Sequence, residues 1–214
     1  LILSLFFMAS CSDQNQDEER LMWVSSLFSG SDQYQKFNRV YELFPTSNLV
    51  PSKNPSSFES ESFVELPSSF VYESKSVDVN EYLDRTDVSA LLILKDGKIR
   101  YENYWLTGGR EVKWISMSVG KSFVSALVGI ALDQGHIKSI QDPVTIYVPQ
   151  LKDSAYDGVI IKDILQMSSG ASWNEDYGDP NSDINRSVRI LALGGSLDEF
   201  AASLTNENEP GTFN

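Results

Sequence analysis

The stretch that decides the fold is residues 114–121, with the sequence WISMSVGK. It places a serine hydroxyl and a lysine amine three residues apart, at Ser118 and Lys121, where a helix is predicted to begin. Positions i and i+3 lie on one face of a helix, so the two side chains can touch. A desolvated lysine held near other donors can lose its proton near neutral pH and then activate a serine nucleophile. The pair therefore supplies the minimal machinery of an acyl-serine enzyme, which needs no metal or cofactor. A solvated lysine one turn after a surface serine is the alternative interpretation.

The spacing of this pair is not diagnostic by itself, because 31 serines and 10 lysines in 214 residues produce such a pair by chance. Its flanks are apolar and predict a buried helix start: Ile115, Met117, Val119 and Phe123. Gly120 lowers helix stability by about 1 kcal/mol relative to alanine, which indicates close approach by another backbone or a substrate. A helix start has free N–H groups and a positive electrostatic potential, so the Ser118 N–H is predicted to form half of an oxyanion hole. The same positive potential favours the neutral form of Lys121.

Composition narrows the function classes. The net charge of −13, with no basic stripe, argues against nucleic-acid binding and favours a solvated acidic surface. The single cysteine excludes an internal disulfide and a cysteine-rich zinc site. The length fits one domain with an extension, or most of a larger domain.

Residues 1–11 are predicted to be the remnant of a signal peptide. The apolar run 1–10, LILSLFFMAS, is about half as long as a bilayer-spanning helix. The sequence of residues 8–11, MASC, resembles a bacterial lipobox, although Met8 stands where leucine is usual and no charged segment precedes the run. Lipidation of Cys11 would anchor the chain to a membrane. The protein would then be a lipoprotein of the bacterial envelope that faces the periplasm or lies at the outer membrane. A plain secreted protein and a buried apolar N-terminus are the alternatives.

The rest of the chain reads as a mixed α+β protein. Residues 12–84 are predicted to be an N-terminal extension and linker, with two short helices within 21–44 and a loop-like segment at 45–62. Asp96-Gly97 predicts a hairpin turn between two strands. The later elements follow from apolar periodicity and breakers: strands at 88–95 and 98–105, helices at 119–134, 159–167, 184–193 and 197–204, and a loop at 173–183.

Several segments together resemble the serine beta-lactamase-related family, which includes class C beta-lactamases, D-alanyl-D-alanine carboxypeptidases, some esterases and 6-aminohexanoate-dimer hydrolase. The resemblance begins with WISMSVGKSF at 114–123 and extends over about 85–214. The other segments that carry it are the strand pair within 90–101, ALDQGHI at 131–137, QDPV at 141–144 and IKDILQMSSG at 161–170. The loop WNEDY at 173–177 looks closest to the aminohexanoate-dimer hydrolase branch.

The resemblance implies a beta-lactamase/transpeptidase-like fold, an antiparallel sheet flanked by helices with a mostly helical region. It implies Ser118 as nucleophile and Lys121 as its base, while Tyr177 either lines the acyl pocket or only packs. The family also uses a tyrosine after a lead-in like EPGTFN at 209–214. That tyrosine and a third motif are expected beyond residue 214, so 85–214 is interpreted as a partial catalytic domain, incomplete at its C-terminus. These residues alone are expected to have an open site and little turnover.

Structural roles are expected for the other candidate residues. His136 is expected to be a helix cap or surface residue, and Ser116 to be structural. The spacing of Asp176, Asp179 and Asp183 lacks the pattern of a calcium loop, so a solvated loop is preferred and no metal is predicted.

The leading functional hypothesis is an envelope serine hydrolase that acts on a small amide or ester through an acyl-Ser118 intermediate. One alternative is a non-catalytic penicillin-recognising or sensor-type envelope protein of the same fold. Another is a surface-tethered structural lipoprotein.

Overall fold

The computed structural model describes residues 15–106 and 108–212. Cys11 and the rest of the predicted signal remnant lie outside the described residues, so the lipid anchor stays a prediction. Within the described ranges, no helix combines the length and apolar character needed to cross a bilayer.

Helices and short strands occur in separate runs along the described residues, which agrees with the predicted α+β class. The α-helices are α1 at 15–25, α2 Gln33–Asn38, α3 Val40–Leu43, α4 Val79–Arg85, α5 Gly120–Asp133, α6 Ile161–Leu165, α7 Asp183–Ala192 and α8 Leu197–Ala202. The strands are β1 Glu59–Ser60, β2 Ser69–Tyr72, β3 Lys75–Asp78, β4 Ala90–Lys95 and β5 Lys98–Tyr104. Short 3-10 turns lie at Met117–Val119, Val144–Ile146 and Pro149–Leu151.

Contacts divide the chain into two compact units. One is Ser26–Ile115, and the other combines the described parts of Leu1–Ser25 and Ser116–Asn214. The predicted limits at 12–84 and 85–214 follow sequence resemblance rather than contacts, and they stay a prediction.

The predicted hairpin is present in the first unit. β4 and β5 pair antiparallel, from Ala90 opposite Tyr104 to Lys95 opposite Lys98. Asp96 and Gly97 have φ values of 54° and 73°, which are the left-handed values that a two-residue type I′ turn requires. β1 adds a parallel neighbour on the other side of β5, giving the order β1-β5-β4.

The predicted linker contains more structure than its serine and proline content suggested. β1 lies inside the segment expected to be a loop, and β2 and β3 form a second, separate hairpin before α4. Phe70 of β2 packs edge-on against Tyr82 of α4, with ring centroids 5.4 Å apart. All four side chains of β2 are exposed, so β2 lacks the alternation of buried and exposed positions by which a strand is recognised in sequence.

Helix α5 confirms the predicted helix at 119–134 to within one residue at each end. It ends in a Schellman motif in which Gly135, at φ 73°, donates its N–H to Leu132 O and His136 donates its N–H to Ala131 O. His136 is exposed, as expected for a residue at a helix cap.

The predicted burial around α5 is wrong. No residue of α5 is buried, and Val119 and Phe123 are 65% and 68% exposed. Met117 is also exposed, at 44%. Apolar residues at helical spacing identify a face that can be buried, but they do not determine which surface lies against it.

The core of the second unit lies instead around α6, α7 and α8. Its buried side chains are Ala155, Val159, Ile161, Ala192 and Phe200. α6 is shorter than the predicted helix at 159–167, because Ile160 is extended and bridges Pro143, and Met167 turns into the left-handed region at φ 59°. α7 and α8 lie within two residues of their predicted ends.

Candidate active site

Ser118 and Lys121 meet at the start of α5. The 3-10 turn Met117–Val119 leads directly into Gly120, the first residue of the helix. This places the two side chains one turn apart, and the Lys121 Nζ donates a hydrogen bond to Ser118 Oγ at 2.8 Å. Both residues are exposed, so the contact predicted from their spacing forms without the predicted burial.

The residue before Ser118 has an unusual backbone. Met117 has a φ of 46°, in the left-handed region that side chains disfavour. The Val119 N–H donates to Ser116 O at 3.0 Å, which closes the tight turn around Met117 and Ser118. Because glycine and asparagine are the usual sequence signals for this conformation, a methionine gave no indication of it.

Gly120 lies close to a side chain rather than to another backbone. A Cβ added at Gly120 would lie 3.2 Å from Ser116 Oγ, the nearest atom outside its own helix backbone. Among the described residues, the close neighbour is thus the serine four residues before it and not the expected second backbone. The alternative expectation, close approach by a substrate, stays a prediction.

The lead-in segment is held against the turn that follows α6. Gly211 donates its N–H to Ser168 O at 2.8 Å, and Asn208 donates its N–H to Gly170 O at 3.0 Å. Gly170 has a φ of 78°, and a Cβ there would collide with the carbonyl oxygen of Asn208. This turn therefore requires glycine for both its conformation and its close contact.

Tyr177 lies in the aromatic loop between α6 and α7 and is 61% exposed. Its hydroxyl donates to Glu175 at 3.0 Å, and that hydrogen bond raises the pKa of Tyr177 above its usual value. The Trp173 indole N–H donates to the other oxygen of the Glu175 carboxylate, at 3.1 Å. The role of Tyr177 in an acyl pocket stays a prediction.

The aspartates of this loop accept hydrogen bonds from nearby backbone N–H groups. Asp176 accepts from Gly178 at 2.8 Å, and Asp183 accepts from Asn174 at 2.9 Å. In the part of the chain that is described, no three acidic, histidine or cysteine side chains are grouped to hold a metal ion. The carboxylates therefore shape the loop.

Sequence reasoning did not single out Ser182 and Asn185, which organise the same loop. Ser182 is 1% exposed and accepts hydrogen bonds from the backbone and side-chain nitrogens of Asn185. The available signal was a serine cap immediately before an apolar helical repeat, which marks a helix start but not a loop contact.

Comparisons with known proteins find sequences similar to this chain. The sequence profile described as Beta-lactamase matches residues 79–213. A 6-aminohexanoate-dimer hydrolase of Paenarthrobacter ureafaciens is 34% identical over 184 residues, which are 83% of this chain and 45% of that protein.

A solved structure shows the same fold. It is a Bacillus anthracis protein provisionally described as a 6-aminohexanoate-dimer hydrolase, with a TM-score of 0.71 and 14% identity, and the match covers 88% of this chain and 53% of that one. This likeness confirms the predicted fold. The chain spans about half the length of the relatives it matches.

Proposed function

The chain belongs to the beta-lactamase family, and on that premise we propose that it is a serine hydrolase that cleaves a small amide or ester through an acyl-Ser118 intermediate. The observation that carries the proposal is the 2.8 Å contact between Lys121 Nζ and Ser118 Oγ. This contact joins a nucleophile to a base within the distance that proton transfer requires.

The first half of the reaction needs Lys121 to begin as a neutral amine. The lone pair of its Nζ then accepts the Ser118 hydroxyl proton, which reverses the direction of the hydrogen bond in the structure. The Ser118 oxygen forms a bond to the substrate carbonyl carbon, and the carbonyl electron pair moves to its oxygen. The Ser118 N–H at the helix start is the donor that we propose for this oxyanion.

The second half releases the acyl group. When the tetrahedral intermediate collapses, the bond to the leaving nitrogen or oxygen breaks, and the leaving atom takes the proton that Lys121 received. In the family a tyrosine carries this proton, and we expect it after the lead-in at 209–214. Water then attacks the Ser118 ester, and the acid and the free serine are regenerated.

Oligoamides are the substrates that we propose to test first. The support is the 34% identity to a 6-aminohexanoate-dimer hydrolase, together with the exposed Tyr177 in the aromatic loop. The 6-aminohexanoate dimer is therefore the probe substrate, and a simple ester is the comparison.

Labelling of the full-length protein with a fluorophosphonate tests the nucleophile. We expect the wild type to be labelled and Ser118→Ala not to be labelled. Ser116→Ala is the matched control, since it removes a serine hydroxyl in the same turn and should leave labelling intact. Lys121→Met should slow labelling by about 10²-fold or more, the typical contribution of a positioned base. Equal labelling of wild type and Ser118→Ala would exclude Ser118 as the nucleophile.

A second candidate function is acylation without turnover, as in a penicillin-recognising sensor. Acylation needs only the Ser118–Lys121 pair, and the 2.8 Å contact supplies that pair whether or not the acyl group is later released. One equivalent of bound label from a fluorescent beta-lactam, with no released product, would select this function over hydrolysis.

A further inference from the structure

The aromatic loop holds Tyr177 from two sides although the side chain is exposed. The phenol hydroxyl donates to Glu175 at 3.0 Å, and the backbone carbonyl of Tyr177 accepts from Asn185 Nδ2 at 3.2 Å. An exposed side chain fixed at both its backbone and its tip loses little conformational entropy when it binds a ligand.

Asn185 reaches several parts of the loop with one nitrogen. It is the third residue of α7, and its Nδ2 lies 2.8 Å from Asp179 O and 3.4 Å from Asp176 O, besides the contact with Tyr177 O. An amide nitrogen carries two N–H donors, so these carbonyls share them with Ser182 Oγ, which lies 3.1 Å away, and the contact with Asp179 is the shortest. A single side chain therefore connects two consecutive turns of the loop.

The ends of the loop are closed by separate contacts. Asn174 donates its N–H to the Asp183 carboxylate at 2.9 Å, and Ile184 donates its N–H to Asn174 O at 3.2 Å. Ser182 is buried and caps α7 by accepting from the Asn185 N–H at 3.4 Å. The loop is thus tied to the N-terminus of α7, and Asn185 supplies the contacts to its middle.

The indole of Trp173 connects the loop to the core. Its ring packs edge-on against buried Phe200, with centroids 6.4 Å apart, while its N–H donates to the Glu175 carboxylate that also accepts from Tyr177. The phenol is therefore linked through Glu175 and Trp173 to the core of its unit.

We propose that Asn185 is a positioning residue that fixes the 174–183 loop so that Tyr177 is presented to the acyl chain of an oligoamide substrate. This inference rests on the proposed function. It assigns Asn185 no contact with the reacting atoms. Its effect is therefore expected on substrate binding and not on the reactivity of Ser118.

The test compares Asn185→Asp with Asn181→Asp in the full-length protein. The carboxylate introduced by Asn185→Asp would present an oxygen in place of the donor and face three carbonyl oxygens, so the middle of the loop should detach from α7. Asn181→Asp makes the same charge change in the same loop, and within the described residues the exposed Asn181 side chain makes no hydrogen bond. Asn185→Ala removes the donor without repulsion and replaces the aspartate variant if that protein does not fold.

Two measurements separate positioning from a merely structural role. We expect amide hydrogen exchange across 174–183 to rise by about tenfold or more in the Asn185 variants and not in Asn181→Asp. We also expect a KM for the 6-aminohexanoate dimer raised several-fold, with kcat and the fluorophosphonate labelling rate close to wild type.

The outcomes distinguish this inference from the proposed function. Unchanged exchange in the Asn185 variants, or faster exchange with an unchanged KM, would overturn the positioning role while labelling of Ser118 upheld the nucleophile. Absence of Ser118 labelling in the wild type would overturn the proposed function, and this inference with it.

Discussion

Met117 holds Ser118 in place through a backbone conformation that its own side chain disfavours. The left-handed region costs an L-residue roughly 1–2 kcal/mol, whereas glycine adopts it without a steric penalty. Met117 has a φ of 46° and immediately precedes Ser118. The turn therefore presents Ser118, the proposed nucleophile, at some cost in stability, in a position where the sequence offers no glycine.

This strain predicts an inverted order of stability for two substitutions. We expect Met117→Gly to be more stable than Met117→Ala by about 1 kcal/mol, because only glycine relieves the left-handed strain. Val124→Gly and Val124→Ala, in the regular part of α5, are the controls and should follow the usual helical order, with alanine more stable by about 1 kcal/mol. Urea unfolding of the four variants measures both differences. The usual order at position 117 would contradict a left-handed Met117.

Features of the fold differ in how far the sequence predicts them. The bounds of α5 and of the β4–β5 hairpin follow from local chemistry, since Gly135 ends the helix and Asp96-Gly97 makes the turn. The Ser118–Lys121 contact is also local, because residues three apart lie on one face of a helix. The exposure of α5 and the contacts of Asn185 could not be predicted, because helical periodicity does not say which surface packs against a helix and a loop without periodicity does not reveal its own path.

Strand β5 carries a charged cluster at its C-terminal end. The Glu102 carboxylate accepts hydrogen bonds from Arg110, including one from Nε at 2.9 Å, and from the Tyr104 hydroxyl. Arg110 first, and Tyr104 second, hold the pKa of Glu102 below its ordinary value of 4.5. A carboxyl whose pKa is lowered by folding stabilises the folded state above its unfolded pKa, and this contribution is lost as the pH falls through the folded pKa.

The cluster therefore predicts a specific acid sensitivity. As the pH is lowered through and below 4.5, we expect the unfolding free energy of the wild type to fall more steeply than that of Glu102→Gln. The variant has no carboxylate to protonate at this position. Glu111→Gln is the control, since Glu111 is exposed and forms no ion pair within the described ranges, and it should keep the wild-type slope. Thermal unfolding at a series of pH values measures the slopes, and equal slopes for Glu102→Gln and wild type would exclude the linkage.

At the scale of the whole molecule, apolar side chains occur in two different environments. Ile161 of α6 is 6% exposed in the core of its unit, while Ile130 of α5 is 51% exposed. Phe123 and Leu127 lie on the same helix as Ile130 and are exposed by more than half. Burial, rather than apolar character, determines how much each side chain stabilises the fold.

Alanine substitutions at Ile161 and Ile130 test whether burial determines how much each side chain stabilises the fold. In the 214-residue chain we expect Ile161→Ala to cost about 2–4 kcal/mol, because it removes buried methyl groups and leaves a cavity. Ile130→Ala should change the unfolding free energy by less than about 0.5 kcal/mol, since the side chain is largely solvated and alanine favours the helix. Denaturant unfolding at several protein concentrations measures both values. A loss of unfolding free energy in Ile130→Ala as large as that in Ile161→Ala would mean that the α5 face is covered in solution. If that loss depended on protein concentration, the face would be covered by a second copy of the chain.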